Sequence, residues 1–314
     1  MAVIAYLIGI ISGVAATVQA SFNGEIRRRF RSPYITAAVN FVVALTLISI
    51  VLLVTEHSLA LPVSDILRHP LWIWMGGLCG ATIVMAGILC LPVLGSARNM
   101  MLLCFGQIMA GLLIDHFGLF EAPVTKMSLM RTAGAVLEII GIAFISVEKG
   151  ERSSGGTSSK VALFIAFDIF TGCVAAAQVA INGTLGVVAD SPVRATFVSM
   201  CGALITMTVI CCLITVFRGK TAVFDERRAP EGRIRFTPFF LSGGLMALVV
   251  VGGNAITGPV LGTGMVTMMN LFGMMAAGLA VAATGFLGIG KKPVTIRKLA
   301  GMALMLAGTA MISL

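Results

Sequence analysis

The chain has 314 residues, of which 58% are apolar and only 11% charged, with a mean hydropathy of +1.03. A soluble domain carries roughly 25% charged residues, so the composition argues against a soluble protein and for an integral membrane one. The net charge of +9 is assigned to topology signals and lipid headgroups, not nucleic acid, because the basic residues lie between apolar runs.

In chain order the apolar runs predict ten transmembrane helices, over 2–24, 34–55, 71–91, 97–115, 129–147, 161–187, 193–217, 238–257, 262–287 and 297–314. The short alternating segments of a β-barrel are not present. The first run has no basic residue before it, and Arg27, Arg28, Arg29 and Arg31 follow it, which predicts a permanent helix and not a cleaved leader. It contains GVAATVQASFNG, Gly13 to Gly24, and the sixth run contains an echo, GCVAAAQVAING, Gly172 to Gly183. Between the fifth and sixth runs the stretch EKGERSSGGTSSK is charged and rich in Gly and Ser, as linkers are. This predicts a five-helix repeat over 1–148, a cytoplasmic linker over 149–160 and a second repeat over 161–314.

The echo extends beyond that stretch. At an offset of 159, Gly13, Gln19, Asn23, Ser32 and Pro33 meet Gly172, Gln178, Asn182, Ser191 and Pro192. At an offset of 167, Gly76, Gly77, Pro92, Gly106, Gly134 and Gly141 meet Gly243, Gly244, Pro259, Gly273, Gly301 and Gly308. Such self-similarity marks an internal duplication. Of the 22 Lys and Arg, 18 follow odd-numbered helices and four (Arg68, Lys126, Arg131, Arg194) follow even-numbered ones. The positive-inside rule then puts both termini outside. Five is odd, so the second repeat enters from the opposite side, and the duplication is expected to be inverted, as in many secondary transporters. The seven Cys all fall inside apolar runs, without zinc-ligand spacing, and are expected to be small packing residues.

These features resemble the drug/metabolite transporter superfamily and, in detail, its YdcZ-type family. The resemblance rests on Gln19-x-x-x-Asn23 in the first helix, the following Ser32-Pro33, the Gly-Gly helix WIWMGGLCGA (Trp72 to Ala81), and Gly106-Gln107 followed by Ile114-Asp115-His116-Phe117-Gly118. It covers essentially the whole chain, the first half better than the second. Gln107 is answered by Met274, Asp115 by Ala282 and His116 by Ala283, so the two ends are not chemically equivalent. The resemblance implies transport and gives no substrate.

Ser12, Ala16, Gln19 and Asn23 share one helix face, as do Thr171, Ala175, Gln178 and Asn182. Each stripe could line a pathway or seat a neighbouring helix. From Ser12 to Asn23 is about 16 Å of rise, which puts the amides towards the membrane edges, one pair near each face if the repeat is inverted. Gln107 lies about halfway along the fourth helix, where an amide needs a partner or water, and Asn270 lies on the ninth. They join Gln19, Asn23, Gln178 and Asn182 as candidate substrate-pathway residues. Asp115, His116, Glu138 and Asp168 are the candidate proton-coupling groups. Glu138 and Asp168 qualify because an ionisable side chain inside a span is a functional hypothesis by default. Asp115-His116 qualifies because an acid at the outer end of the fourth helix stands beside a group that titrates near neutrality. Glu138 has a competing packing role beside Gly134 and Gly141.

The expected function is secondary transport of a small metabolite or drug-like solute by alternating access in the inner or plasma membrane. The competing reading is a membrane scaffold or accessory subunit. A shared cavity lined by Gln19, Gln107 and Gln178 would separate the two. No Walker A, HExxH or GxSxG motif occurs, so neither an ATP-driven pump nor an enzyme is expected, nor a metal or cofactor. The expected partners are the solute and membrane lipids.

Overall fold

The computed structural model describes residues 2–30, 32–59, 68–94, 96–146, 158–218, 239–285 and 294–313. Among these lie ten α-helices: α1 (Ala2–Phe30), α2 (Pro33–Glu56), α3 (Gly76–Leu94), α4 (Ser96–Phe117), α5 (Leu129–Ser146), α6 (Ser158–Val188), α7 (Pro192–Arg218), α8 (Phe239–Leu261), α9 (Thr263–Thr284) and α10 (Ile296–Ser313). Short 3-10 turns, Leu71–Trp74 and Leu119–Glu121, precede α3 and follow α4. Eight helices are long and apolar enough to cross a membrane. Residues 149–157 of the expected linker lie outside the described residues, and its last three, 158–160, open α6 instead.

The repeated Ser-Pro pairs are helix starts. Ser32 Oγ accepts from Ile35 N at 3.3 Å at the head of α2. Ser191 Oγ accepts from Val193 N at 3.2 Å and Arg194 N at 3.3 Å at the head of α7. In both, proline takes the first helical position, where its missing N–H costs nothing. The long α1 and α6 differ from expectation by running further. α1 continues through the arginine block to Phe30, so Gln19 lies eleven residues, about 16 Å, before the helix end, although its apolar span closes at Asn23.

Each half is completed by the other. α1 packs on α8 and α9, α6 packs on α3 and α4, α2 on α7 and α5 on α10. The closest approaches are glycines at equivalent positions. A Cβ on Gly13 would lie 2.0 Å from Asn270 O, and one on Gly172 would lie 2.1 Å from Leu103 O. Gly134 meets Gly308 O and Gly141 meets Gly301 O, each reciprocally, so α5 and α10 run antiparallel with their backbones in contact. Only glycine permits such spacing, and close backbone packing is a main source of helix association in lipid. All seven Cys are free thiols within these helices.

Candidate functional site

At the centre is a cavity of about 250 Å³. Its wall is drawn from α1–α4 and α6–α9, four helices of each half, and α5 and α10 stand outside it. Four of the six expected pathway amides line it: Gln19, Gln107, Gln178 and Asn270. The Gln19 and Gln107 side chains make no hydrogen bond among the described residues, so their amides are open to a solute or water. Gln178 is engaged, its Nε2 donating to Gly76 O at 2.9 Å. Asn270 Nδ2 donates to Asn254 Oδ1 at 2.9 Å.

Asn254 is a lining amide that sequence reasoning missed. It is buried in α8 beside Gly252 and Gly253, and Gly87 stands at the equivalent position of the first half, so the duplication offered no echo of it. The intramembrane-amide argument applied to Gln107 would have found it.

Asn23 and Asn182 are not on the wall. Asn40 Nδ2 donates to Asn23 Oδ1 at 2.5 Å, tying α1 to α2, and Ser199 Oγ donates to Asn182 Oδ1 at 2.5 Å, tying α6 to α7. Each junction receives a glycine of the opposite half. A Cβ on Gly243 would lie 2.2 Å from Asn40 Oδ1, and one on Gly76 would lie 2.2 Å from Asn182 Oδ1. The repeated asparagines are therefore corners into which the third helix of the other half is pressed. The repeated glutamines, one turn back, face the cavity.

The four candidate acid–base groups separate. Asp115 Oδ1 accepts from Thr263 N at 2.7 Å and Oδ2 from Gly264 N at 2.9 Å, capping α9 at its N-terminus. Arg131 Nη2 reaches the same Oδ2 at 3.3 Å, while its Nη1 donates to Thr125 O at 2.9 Å. A carboxylate at a helix N-terminus beside an arginine is doubly favoured. His116 Nδ1 accepts from Met127 N at 2.8 Å, fixing the turn after α4. Glu138 is buried between α5 and α10, where Thr309 donates to it, away from the cavity. Asp168 is 1% exposed, and neither carboxylate oxygen has a hydrogen-bond partner.

The Asp115 end is firmly joined across the halves. Besides the α9 cap, Glu56 at the end of α2 pairs with Arg194 Nε at 2.5 Å and accepts from Ser191 Oγ. Thr184 Oγ1 donates to Phe120 O at 2.6 Å. A second hollow of about 250 Å³ opens here, lined by Glu121, Pro123, Gly183, Thr184, Pro259 and Thr263 among others. It is divided from the central cavity by α6 lying on α8, where Gly258 sits against Gly183 Cα and Val179 O. The divide is about one helical turn thick, from Thr263 to Thr267 on α9. A solute-sized cavity therefore ends at a thin, clamped layer.

One family model matches the chain twice, over residues 4–144 and 163–311, and is described as "Putative inner membrane exporter, YdcZ". The chain belongs to this family. The two matches, one in each half, account for the duplication read from the glycines and amides. No curated protein matches. A solved crystal structure aligns over 98% of this chain and 94% of its own length, with a TM-score of 0.62 at 16% identity. At that identity the likeness shows the fold alone. As a member of the YdcZ family the chain is a multi-pass membrane protein of a transporter class, with no positive sign of enzymatic chemistry.

Proposed function

We propose that this chain is a secondary transporter that moves a small solute through the central cavity by alternating access. In this reading all ten helices cross the membrane as two inverted repeats, with both termini outside. The observation that carries it is the unequal state of two equivalent glutamines around one cavity. Gln178 is bonded to Gly76 O, while Gln19, whose equivalent acceptor is Gly243 O, is free. By the charge count the Asp115 end is the outer one. The protein would then be closed outside, with the Asp115–α9 cap, the Glu56–Arg194 pair and the Gly183–Gly258 contact as its outer gate. Exchange of the glutamine bond from one half to the other would open that gate and close the inner one. The family's description as an exporter favours outward transport.

A scaffold would have no need of free amides around a central cavity. Replacing Gln107 with Leu is expected to abolish solute binding or flux while leaving expression and folding near normal, since no intramolecular bond is lost. Parallel thermal-stability and transport assays check this. A fall in stability without a selective loss of binding would support the scaffold.

Among the four acid–base candidates, Asp168 is the coupling residue in this reading, because its side chain alone makes no hydrogen bond among the described residues. Asp168→Asn is expected to abolish accumulation driven by a proton gradient and to spare solute exchange at equilibrium, both measured in proteoliposomes. Loss of both activities together would remove Asp168 from that role.

A further inference from the structure

We propose that the cavity selects an uncharged solute rich in hydrogen-bonding groups, such as a polyol or an amide, and rejects ionised solutes of the same size. This rests on the transport reading above.

What faces the hollow sets the chemistry it can bind. Among the described residues that line it none is ionisable, while Gln19, Gln107, Asn254, Asn270, Ser199 and Thr267 present neutral polar groups. Several of these groups are uncommitted. Among the described residues the Gln19 and Gln107 amides have no partner, and Asn270 Oδ1 and Thr267 Oγ1 are buried without one. Gln19 and Gln107 are only partly buried and face the cavity, so a guest that donates and accepts hydrogen bonds can replace the water their amides would otherwise need. Carboxamides both donate and accept, as do hydroxyls, and the complementary guest carries the same kinds of group.

Four acidic side chains of the helices are engaged elsewhere or stand off the wall. Asp115 is held by Thr263, Gly264 and Arg131, Glu138 by Thr309, and Glu56 by Arg194 and Ser191. Asp168 is not on the wall. An ion entering the cavity would lose its hydration and meet no counter-charge, which is far more expensive than moving a neutral polar group. A cation would also find no aromatic cage, since Phe41 is the single aromatic on the described wall.

The polar groups are unevenly distributed. Gln107 stands where the duplication puts Met274 opposite it, and Asn270 where it puts Leu103, and all four line the cavity. Each symmetric level thus offers one amide and one apolar side chain, which suits a solute with polar groups on two sides and a small apolar edge. At about 250 Å³ the space equals that of about eight water molecules, so the solute is small.

A test that needs no known substrate uses cysteine chemistry in the full-length, detergent-solubilised protein. The seven native Cys are replaced by Ala, and Ala16→Cys or, separately, Ala247→Cys puts one thiol on the wall. Three methanethiosulfonates of nearly equal size are compared, carrying a hydroxyethyl, an aminoethyl or a sulfonatoethyl group. Their rates are normalised to those with a free thiol. The neutral reagent is expected to react at least tenfold faster than both charged ones at both positions. Equal or faster reaction of a charged reagent would overturn the charge selection and leave the transport reading standing. Failure of all three at both positions, in protein that remains folded, would show that solutes do not enter, and would overturn the transport reading together with this one.

Discussion

Asp115→Ala is expected to be the most damaging side-chain replacement at the clamped end. Three bonds converge on this carboxylate: the N–H groups of Thr263 and Gly264, and Arg131. Removing it uncaps α9, which costs about 0.5–2 kcal/mol, and leaves the Arg131 guanidinium buried without its counter-charge. Breaking one side of a buried pair costs about 3–5 kcal/mol. The reciprocal change should be milder, because in Arg131→Met the carboxylate keeps both backbone donors. The double variant should recover part of the loss, since the two residues share one interaction and their effects do not add. Thermal unfolding of the four proteins in one detergent decides it. Equal, additive losses would mean that Asp115 and Arg131 act separately and that no clamp exists.

The second large effect is expected at Gly172. A methyl group there would lie 2.1 Å from Leu103 O, 2.8 Å from Gln107 N and 2.9 Å from Gly106 Cα, all of them backbone atoms. No rotamer change relieves that overlap, so α6 and α4 must separate, displacing Gln107 from the cavity wall. Gly172→Ala should therefore abolish binding and reduce the yield of folded protein severely, although alanine is the better helix former. Gly278→Ala is the matched control: nothing lies within 4 Å of a Cβ at Gly278, so the helix should gain up to about 1 kcal/mol. Yield and melting temperature measured side by side should move in opposite directions. If Gly172→Ala behaves like Gly278→Ala, α4 and α6 are not in backbone contact.

Most of the fold was legible in the sequence because lipid allows few solutions. Continuous apolar runs must be helices, and the glycine echoes at fixed offsets mark where backbones touch, as Gly134 with Gly308 and Gly13 with Asn270 illustrate. Helix ends were less legible. The arginines that mark the end of the apolar run of α1 do not break a helix, so α1 continues past them to Phe30. In the site, the residue type gave the cavity amides, since Gln107 and Asn270 are conspicuous in an apolar helix. It could not distinguish Gln19 from Asn23 one turn away. That difference depends on the neighbour: Asn40 and the incoming Gly243 take up Asn23, and open space faces Gln19. Asp115 resisted reading for the same reason, because Thr263 and Gly264 are 148 and 149 residues distant in sequence.

The central claim is that two equivalent glutamines exchange roles between two states, and cysteine accessibility in proteoliposomes addresses it most directly. In a background free of the seven native Cys, one reporter thiol on the cavity side of the divide, at Val179, and one on the wall beside Gln19, at Ala16, are labelled from each side by a membrane-impermeant reagent. Gln178→Leu removes a bond present in this structure, which the transport reading takes as closed outside, so labelling from outside should rise and labelling from inside should fall. Gln19→Leu removes a bond that belongs only to the opposite state, so it should shift both signals the other way. One interhelical bond in a membrane is worth about 0.6–2 kcal/mol, enough to change the ratio of two states by roughly three- to thirtyfold. Opposite shifts are the predicted result. Shifts in the same direction, or none in either variant, would contradict alternating access between the two halves.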